Sequence, residues 1–218
     1  MSYHIDAEQV SLDDLRERIK QTDLVPSRES LLDGIAAKMK AFERQGITTL
    51  AALQEEIKTA KRREALAETT GIDAQYLVLL RREINGYFPK PPTLQDFDWL
   101  PQAEIAKLEE KGISKADALY EAAGDAALAA STGIDQAVLD ALIRLADLTR
   151  IQWVSPTAAR MLVEAGYDSP SQVAAADADA LCEALRRVNE GDRFFKGNIG
   201  LRDIKRLVQA AGYVTGGA

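Results

Sequence analysis

The chain has 218 residues, with 27 basic and 34 acidic side chains giving a formal net charge of −7, and a single cysteine and a single histidine. The lone Cys182 excludes an intramolecular disulfide and a cysteine-based zinc cluster, and the lone His4 excludes a multi-histidine metal site. No apolar run approaches the ~18 residues that cross a bilayer, and the first ten residues lack the basic-then-apolar pattern of a signal peptide, so a cytoplasmic location is expected.

Two compositions alternate along the chain. Runs of Ala, Leu, Glu, Arg and Lys favour helix, and short breaks of Gly, Pro, Asp, Ser and Thr mark turns and caps. No stretch alternates apolar and polar residues as a half-buried strand does. The expected fold is all-α. The breaks share one form: a glycine, an apolar residue, then usually a capping residue. It occurs at Gly46-Ile47-Thr48, Gly71-Ile72-Asp73, Gly112-Ile113-Ser114, Gly133-Ile134-Asp135 and Gly166-Tyr167-Asp168. Glycine supplies the left-handed conformation that closes a helix, and Thr, Asp or Ser accepts from the free N–H groups of the next one. Gly212-Tyr213 predicts the same stop near the C-terminus.

The breaks align as longer repeats. Leu66–Asp73 matches Leu128–Asp135, each followed by apolar residues at helical spacing: Ile72, Tyr76, Leu80 and Ile84, then Ile134, Val138, Leu142 and Leu145. Phe42–Gly46 matches Leu108–Gly112, Leu162–Gly166 and, more weakly, Val208–Gly212. Trp99 and Trp153 each lie nine residues before the matching leucine. The proline-rich Phe88–Thr93 blocks helix continuation. It sets an N-terminal helical domain at 1–88, a linker at 89–93 and a C-terminal domain at 94–218, with Thr215–Ala218 as a frayed tail.

Ile151-Gln152-Trp153-Val154-Ser155-Pro156, followed by Ala159 and Leu162, resembles a helix-hairpin-helix unit, whose turn usually reads apolar-x-Gly-apolar-Gly-Pro. More closely, Ala146–Tyr213 resembles an uncharacterised bacterial family of tandem helix-hairpin-helix-like, SAM-like helical domains. That family carries runs like Ala146-Asp-Leu-Thr-Arg-Ile151 and Val188-Asn189. Asp23–Ser27 and Leu79–Asn85 resemble the upstream part of its longer members. The resemblance implies tandem helix-hairpin-helix-like bundles. It assigns no activity. DNA-binding hairpins of this kind use their glycines to bring backbone N–H groups against phosphates. Here Trp153 and Ser155 stand at those positions, and Trp99 and Pro101 in the other copy, so that grip is not expected.

Two sets of residues are candidates for binding. Trp99 and Trp153 fit either plugs between hairpins or exposed anchors for a protein partner. The segment 186–206 carries Arg186, Arg187, Arg193, Lys196, Arg202, Lys205 and Arg206 against three acidic residues, a local +4, with Phe194 and Phe195 inside it. A basic stretch with aromatics suits nucleic acid or an acidic partner, and it equally suits a solvated helix face over two core phenylalanines. Lys58, Lys61, Arg62 and Arg63 are flanked by glutamates and read as intrahelical pairs. Cys182 reads as a small core residue. No catalytic constellation, phosphate loop, cofactor motif or metal cluster stands out. The expected function is a non-catalytic interaction module for a protein partner, with nucleic-acid binding through 186–206 as the alternative.

Overall fold

The computed structural model describes residues 2–214, and among these the backbone forms helices, turns and two isolated bridges but no strand. Residues 215–218, read from sequence as a tail, lie outside the described residues. No helix among the described residues is long and apolar enough to cross a membrane. The chain divides into two compact units. One comprises residues 6–88, and the other residues 89–214 together with residues 2–5.

The first unit runs α1 (Leu12–Gln21), a 3-10 turn (Pro26–Leu32), α2 (Ile35–Arg44), α3 (Leu50–Ile57), α4 (Ala60–Thr70) and α5 (Ala74–Asn85). Ser11 opens α1 with a capping box: its hydroxyl oxygen accepts from the Asp14 N–H, and its own N–H donates to the Asp14 carboxylate. Ile72, Tyr76, Leu80 and Ile84 are buried, as their spacing requires. On the same helix Glu83 is only 2 % exposed, and Arg28 Nη1 donates to its carboxylate at 2.6 Å. A carboxylate this deep needs that partner, because an unpaired buried charge costs several kcal/mol (about 3–5).

The second unit runs from a 3-10 turn (Leu94–Asp96) through α6 (Gln102–Glu110), α7 (Ala116–Ala122), α8 (Leu128–Thr132), α9 (Gln136–Leu148), α10 (Pro156–Glu164), α11 (Pro170–Ala174), α12 (Ala178–Val188) and α13 (Leu201–Val214). Its helix stops repeat the backbone closures of the first unit. The five glycine stops at 46, 71, 112, 133 and 166 have φ between 66° and 89°. At three of them the N–H of the residue after the glycine bonds back across five residues: Ile47 to the Phe42 carbonyl, Ile113 to Leu108 and Tyr167 to Leu162. These are the Schellman closures that the aligned Phe42, Leu108 and Leu162 predict. Gly71 and Gly133 close by the simpler bond to the residue four back. Asp73 and Asp135 then cap α5 and α9, and Thr70 and Thr132 each donate to the carbonyl four residues earlier. Gly212 departs from the pattern, because α13 runs through it to Val214. Ala210 and Ala211 beside it are buried, and that packing keeps the backbone helical where the local signal asks for a stop.

The proline-rich stretch taken from sequence as a linker is bonded into the second unit. The Pro92 carbonyl accepts from the Ala116 N–H, and the Leu94 N–H donates to the Ser114 carbonyl. Residues 2–5, taken from sequence as the start of the N-terminal domain, also belong to the second unit. Tyr3 is buried and its hydroxyl lies 2.9 Å from Thr149 Oγ1. Thr149 spends its own proton on the Ala146 carbonyl, so Tyr3 is the donor. Arg150 Nε donates to the Tyr3 carbonyl at 2.8 Å, and the His4 ring packs edge-on to Tyr3.

Replacing Tyr3 by Ala should cost about 3–5 kcal/mol, and by Phe only about 1 kcal/mol, in urea unfolding of the full chain followed by circular dichroism. Burial raises the Tyr3 pKa from 10.0 to about 12. The unfolded chain therefore loses this proton first. Stability present below pH 10 should fall as the pH rises through about 12, and Tyr3→Phe should flatten that part of the profile.

Candidate functional site

The clearest concave surface with a built wall lies in the second unit, where α10, α12 and α13 meet the loop 190–200. Asn189, buried at the end of α12, fixes that loop. Its Oδ1 accepts from the N–H groups of both Phe194 and Phe195 at 2.9 Å, and its Nδ2 donates to the Phe195 carbonyl at 2.8 Å. One amide thus satisfies two consecutive peptide units. Further along, the Ile199 carbonyl accepts from Arg186 Nε at 3.0 Å and Nη2 at 2.7 Å, with Cys182 Sγ at 3.6 Å. Between the two clamps stands Gly197 at φ 151°, where a Cβ would sit 2.9 Å from Cε1 of Phe195. The bare backbone there is what lets the Phe195 ring lie over the loop.

Phe194, Phe195 and Ile199 of the loop face Met161 and Leu162 of α10, Leu185 of α12, and Ile204 and Leu207 of α13 across a cleft of about 380 Å³. No charged side chain lines it. Phe195 is 50 % exposed, an aromatic ring left in water by a loop held at both ends.

Arginines on aromatic faces flank the cleft. The guanidinium groups of Arg160 and Arg193 lie 5.1 and 4.5 Å from the Phe194 ring. Both also donate to Glu164, Arg160 through Nε at 3.0 Å and Arg193 through two nitrogens at 2.6 and 3.2 Å. Arg206, next to Leu207, lies 4.5 Å from the ring of Trp153. Trp153 is 51 % exposed and holds φ at 70°. A bulky side chain in the left-handed region is strained, by about 1–3 kcal/mol. The turn demands it there, because the Ile151 and Val154 N–H groups close successive turns onto Leu148 and Ile151. Ser155 then caps α10 through the Ala158 N–H.

The candidates singled out from sequence fare differently. Arg186, Arg193 and Arg206 are turned to acceptors or rings of the chain itself. Arg187, Lys196, Arg202 and Lys205 are exposed. Of Phe194 and Phe195, read as core residues on one view, Phe194 packs partly buried against the core and Phe195 is half exposed; both line the cleft. Trp99 and Trp153, equivalent in sequence, differ in surroundings. Trp99 is partly buried against the core, edge-on to Phe97 at 5.7 Å, while Trp153 projects. Lys58 and Arg62 pair with Glu55, and Arg63 donates to the Ile57 carbonyl. Cys182 is buried. Among the described residues no three His, Cys, Asp or Glu side chains cluster as a metal site would need. In the sequence Asn189 stands only within the Val188-Asn189 run, and Arg160 and Glu164 carry no local signal. An asparagine just past a helix end, followed by two phenylalanines, was the available signal.

Residues 100–213 match the model of a domain of unknown function, DUF4332. The chain belongs to this family. The DUF4332 match takes in Arg150, Trp153, Asn189 and every residue of the cleft, and it leaves out Trp99 and Tyr3. No curated protein and no solved structure matches the chain.

Gly197→Ala should cost about 1–2 kcal/mol, since it adds a Cβ at positive φ and against a ring. Asn189→Ala should cost about 2–3 kcal/mol by orphaning two N–H groups and a carbonyl. Both are read by urea unfolding, and both should raise amide hydrogen exchange in 190–200 more than elsewhere in the unit.

Proposed function

We propose that the chain is a non-catalytic, cytoplasmic interaction module, built from tandem helix-hairpin-helix-like units, that docks a protein partner in the cleft of its DUF4332 domain. The observation that carries this reading is the half-exposed Phe195 over an uncharged cleft, held there by Asn189, Arg186 and a bare Gly197. A loop held this firmly while it exposes an aromatic ring fits a preformed docking surface, and buried aromatic anchors dominate protein interfaces. The engagement of Arg186 and Arg193 with the chain's own acceptors reduces what the basic segment offers to phosphates.

A second reading, nucleic-acid binding through 186–206, is favoured by the exposed Arg187, Lys196 and Lys205. Fluorescence anisotropy with labelled single- and double-stranded DNA at low and physiological salt separates the two, with Arg193, Lys196, Arg202 and Lys205 reversed to Glu as the control. The docking reading expects at most weak binding at low salt that vanishes at physiological salt. Tight, salt-sensitive binding abolished by the reversal would replace it with the nucleic-acid reading.

A further inference from the structure

We infer that the partner docked in this cleft is an apolar segment flanked by carboxylates, with Arg206 on Trp153 as the carboxylate clamp; this rests on the docking reading above. The structure contains the completed form of such a clamp beside the same cleft. Arg160 and Arg193 lie over the Phe194 ring and donate N–H groups to the carboxylate of Glu164. Stacking uses the face of a guanidinium and leaves its planar fork for a carboxylate, so one arginine does both.

Arg206 on Trp153 repeats the first half of that arrangement and holds the second only loosely. Its ion pair to Asp203 is long, at 3.9 Å, and the Asp203 side chain is 71 % exposed. Its Nε is buried without an acceptor, and its side chain is only 19 % exposed. A cation withdrawn this far from water is poorly compensated. Trp153 adds an independent sign: the ring that its turn projects leaves half its surface in water. An exposed aromatic beside a loosely paired arginine fits a surface completed by something else.

Position supplies the rest. Trp153 lies two residues before Ser155, and Arg206 precedes Leu207; Ser155 and Leu207 both line the cleft. The other arginine pair stands at Phe194, also in the lining. An uncharged cleft flanked by arginines is complementary to apolar side chains bracketed by Glu or Asp. Of the acids nearby, Glu164 is shared by two arginines, and Asp203, Glu190 and Asp192 are exposed to solvent.

The test uses the full chain and three fluorescein-labelled peptides of about twelve residues with one apolar pattern (Leu, Phe and Leu on one helical face) and Glu, Gln or Lys at the flanks. Anisotropy should rank them Glu, Gln, Lys, with about a tenfold gap between Glu and Gln at low salt that narrows as salt is added. Arg206→Gln should bring the Glu peptide down to the Gln peptide and leave the Gln peptide unchanged, which a merely unfolded variant could not do. Arg206→Lys should recover part of the gap. Phe195→Ala should weaken all three alike. If wild type binds Glu and Gln peptides equally, or if the gap survives Arg206→Gln, the carboxylate clamp is wrong and the docking reading stands. If none of the three binds, the docking reading fails with it.

Discussion

Arg150 is the residue on which the second unit depends. Its Nε donates to the Tyr3 carbonyl, its Nη1 to Asp147 at 2.6 Å and its Nη2 to the Val214 carbonyl at 3.3 Å, while its face covers the Tyr120 ring at 4.2 Å. One planar cation therefore joins the first described residues of the chain, α7, α9 and the last turn of α13. Only a guanidinium has both a stacking face and enough edge donors for these bonds, so a lysine could not replace it. The consequence reaches the cleft. The helix whose last carbonyl Arg150 holds is the one that supplies Ile204, Leu207 and Arg206 to the cleft and its rim. A fixed α13 is what keeps a partner surface preformed, and preformed surfaces lose less entropy on binding.

What was legible in the sequence was what short-range chemistry decides. The Gly-apolar-cap triplets forecast the five helix stops, and the pairing of Leu66–Asp73 with Leu128–Asp135 forecast matched closures down to the threonine back-bonds, because every atom involved lies within six residues. The cap itself falls on the triplet only at Asp73 and Asp135; it moves one residue on, from Thr48 to Thr49 and from Asp168 to Ser169, and Lys115 after Ser114 makes no side-chain cap. Gly212 shows the limit of the same rule. Its local signal is the weakest of the set, with no capping residue after Tyr213, and tertiary burial of its neighbours outweighs it. Tyr3 marks the opposite limit. Nothing near it in sequence announces a partner 146 residues away, and a polar, terminal-looking stretch gives no periodicity to read.

The candidate site divides along the same line. A count of charges across 186–206 treats each arginine as free, yet Arg186 is spent on a backbone carbonyl and Arg193 on a glutamate from another helix. Charge in a segment is a sum over residues, whereas the field a partner meets depends on what each residue already touches. The tryptophans carry the complementary lesson. Their matched positions gave two readings, a plug and an anchor, and the turns around them divide the two: Trp99 sits edge-on to Phe97, and Trp153 is turned outward by a left-handed backbone. The cleft itself needed the fold, since its walls come from three helices and a loop.

The most direct measurement of the central claim places the photo-crosslinking residue p-benzoylphenylalanine at position 195 of the full chain, in cells that make the protein. The account predicts a discrete adduct with a protein, mapped by mass spectrometry to an apolar segment with flanking acids, and unaffected by nuclease. An adduct that nuclease removes, or a crosslinker that captures only solvent while the protein stays folded, would contradict it.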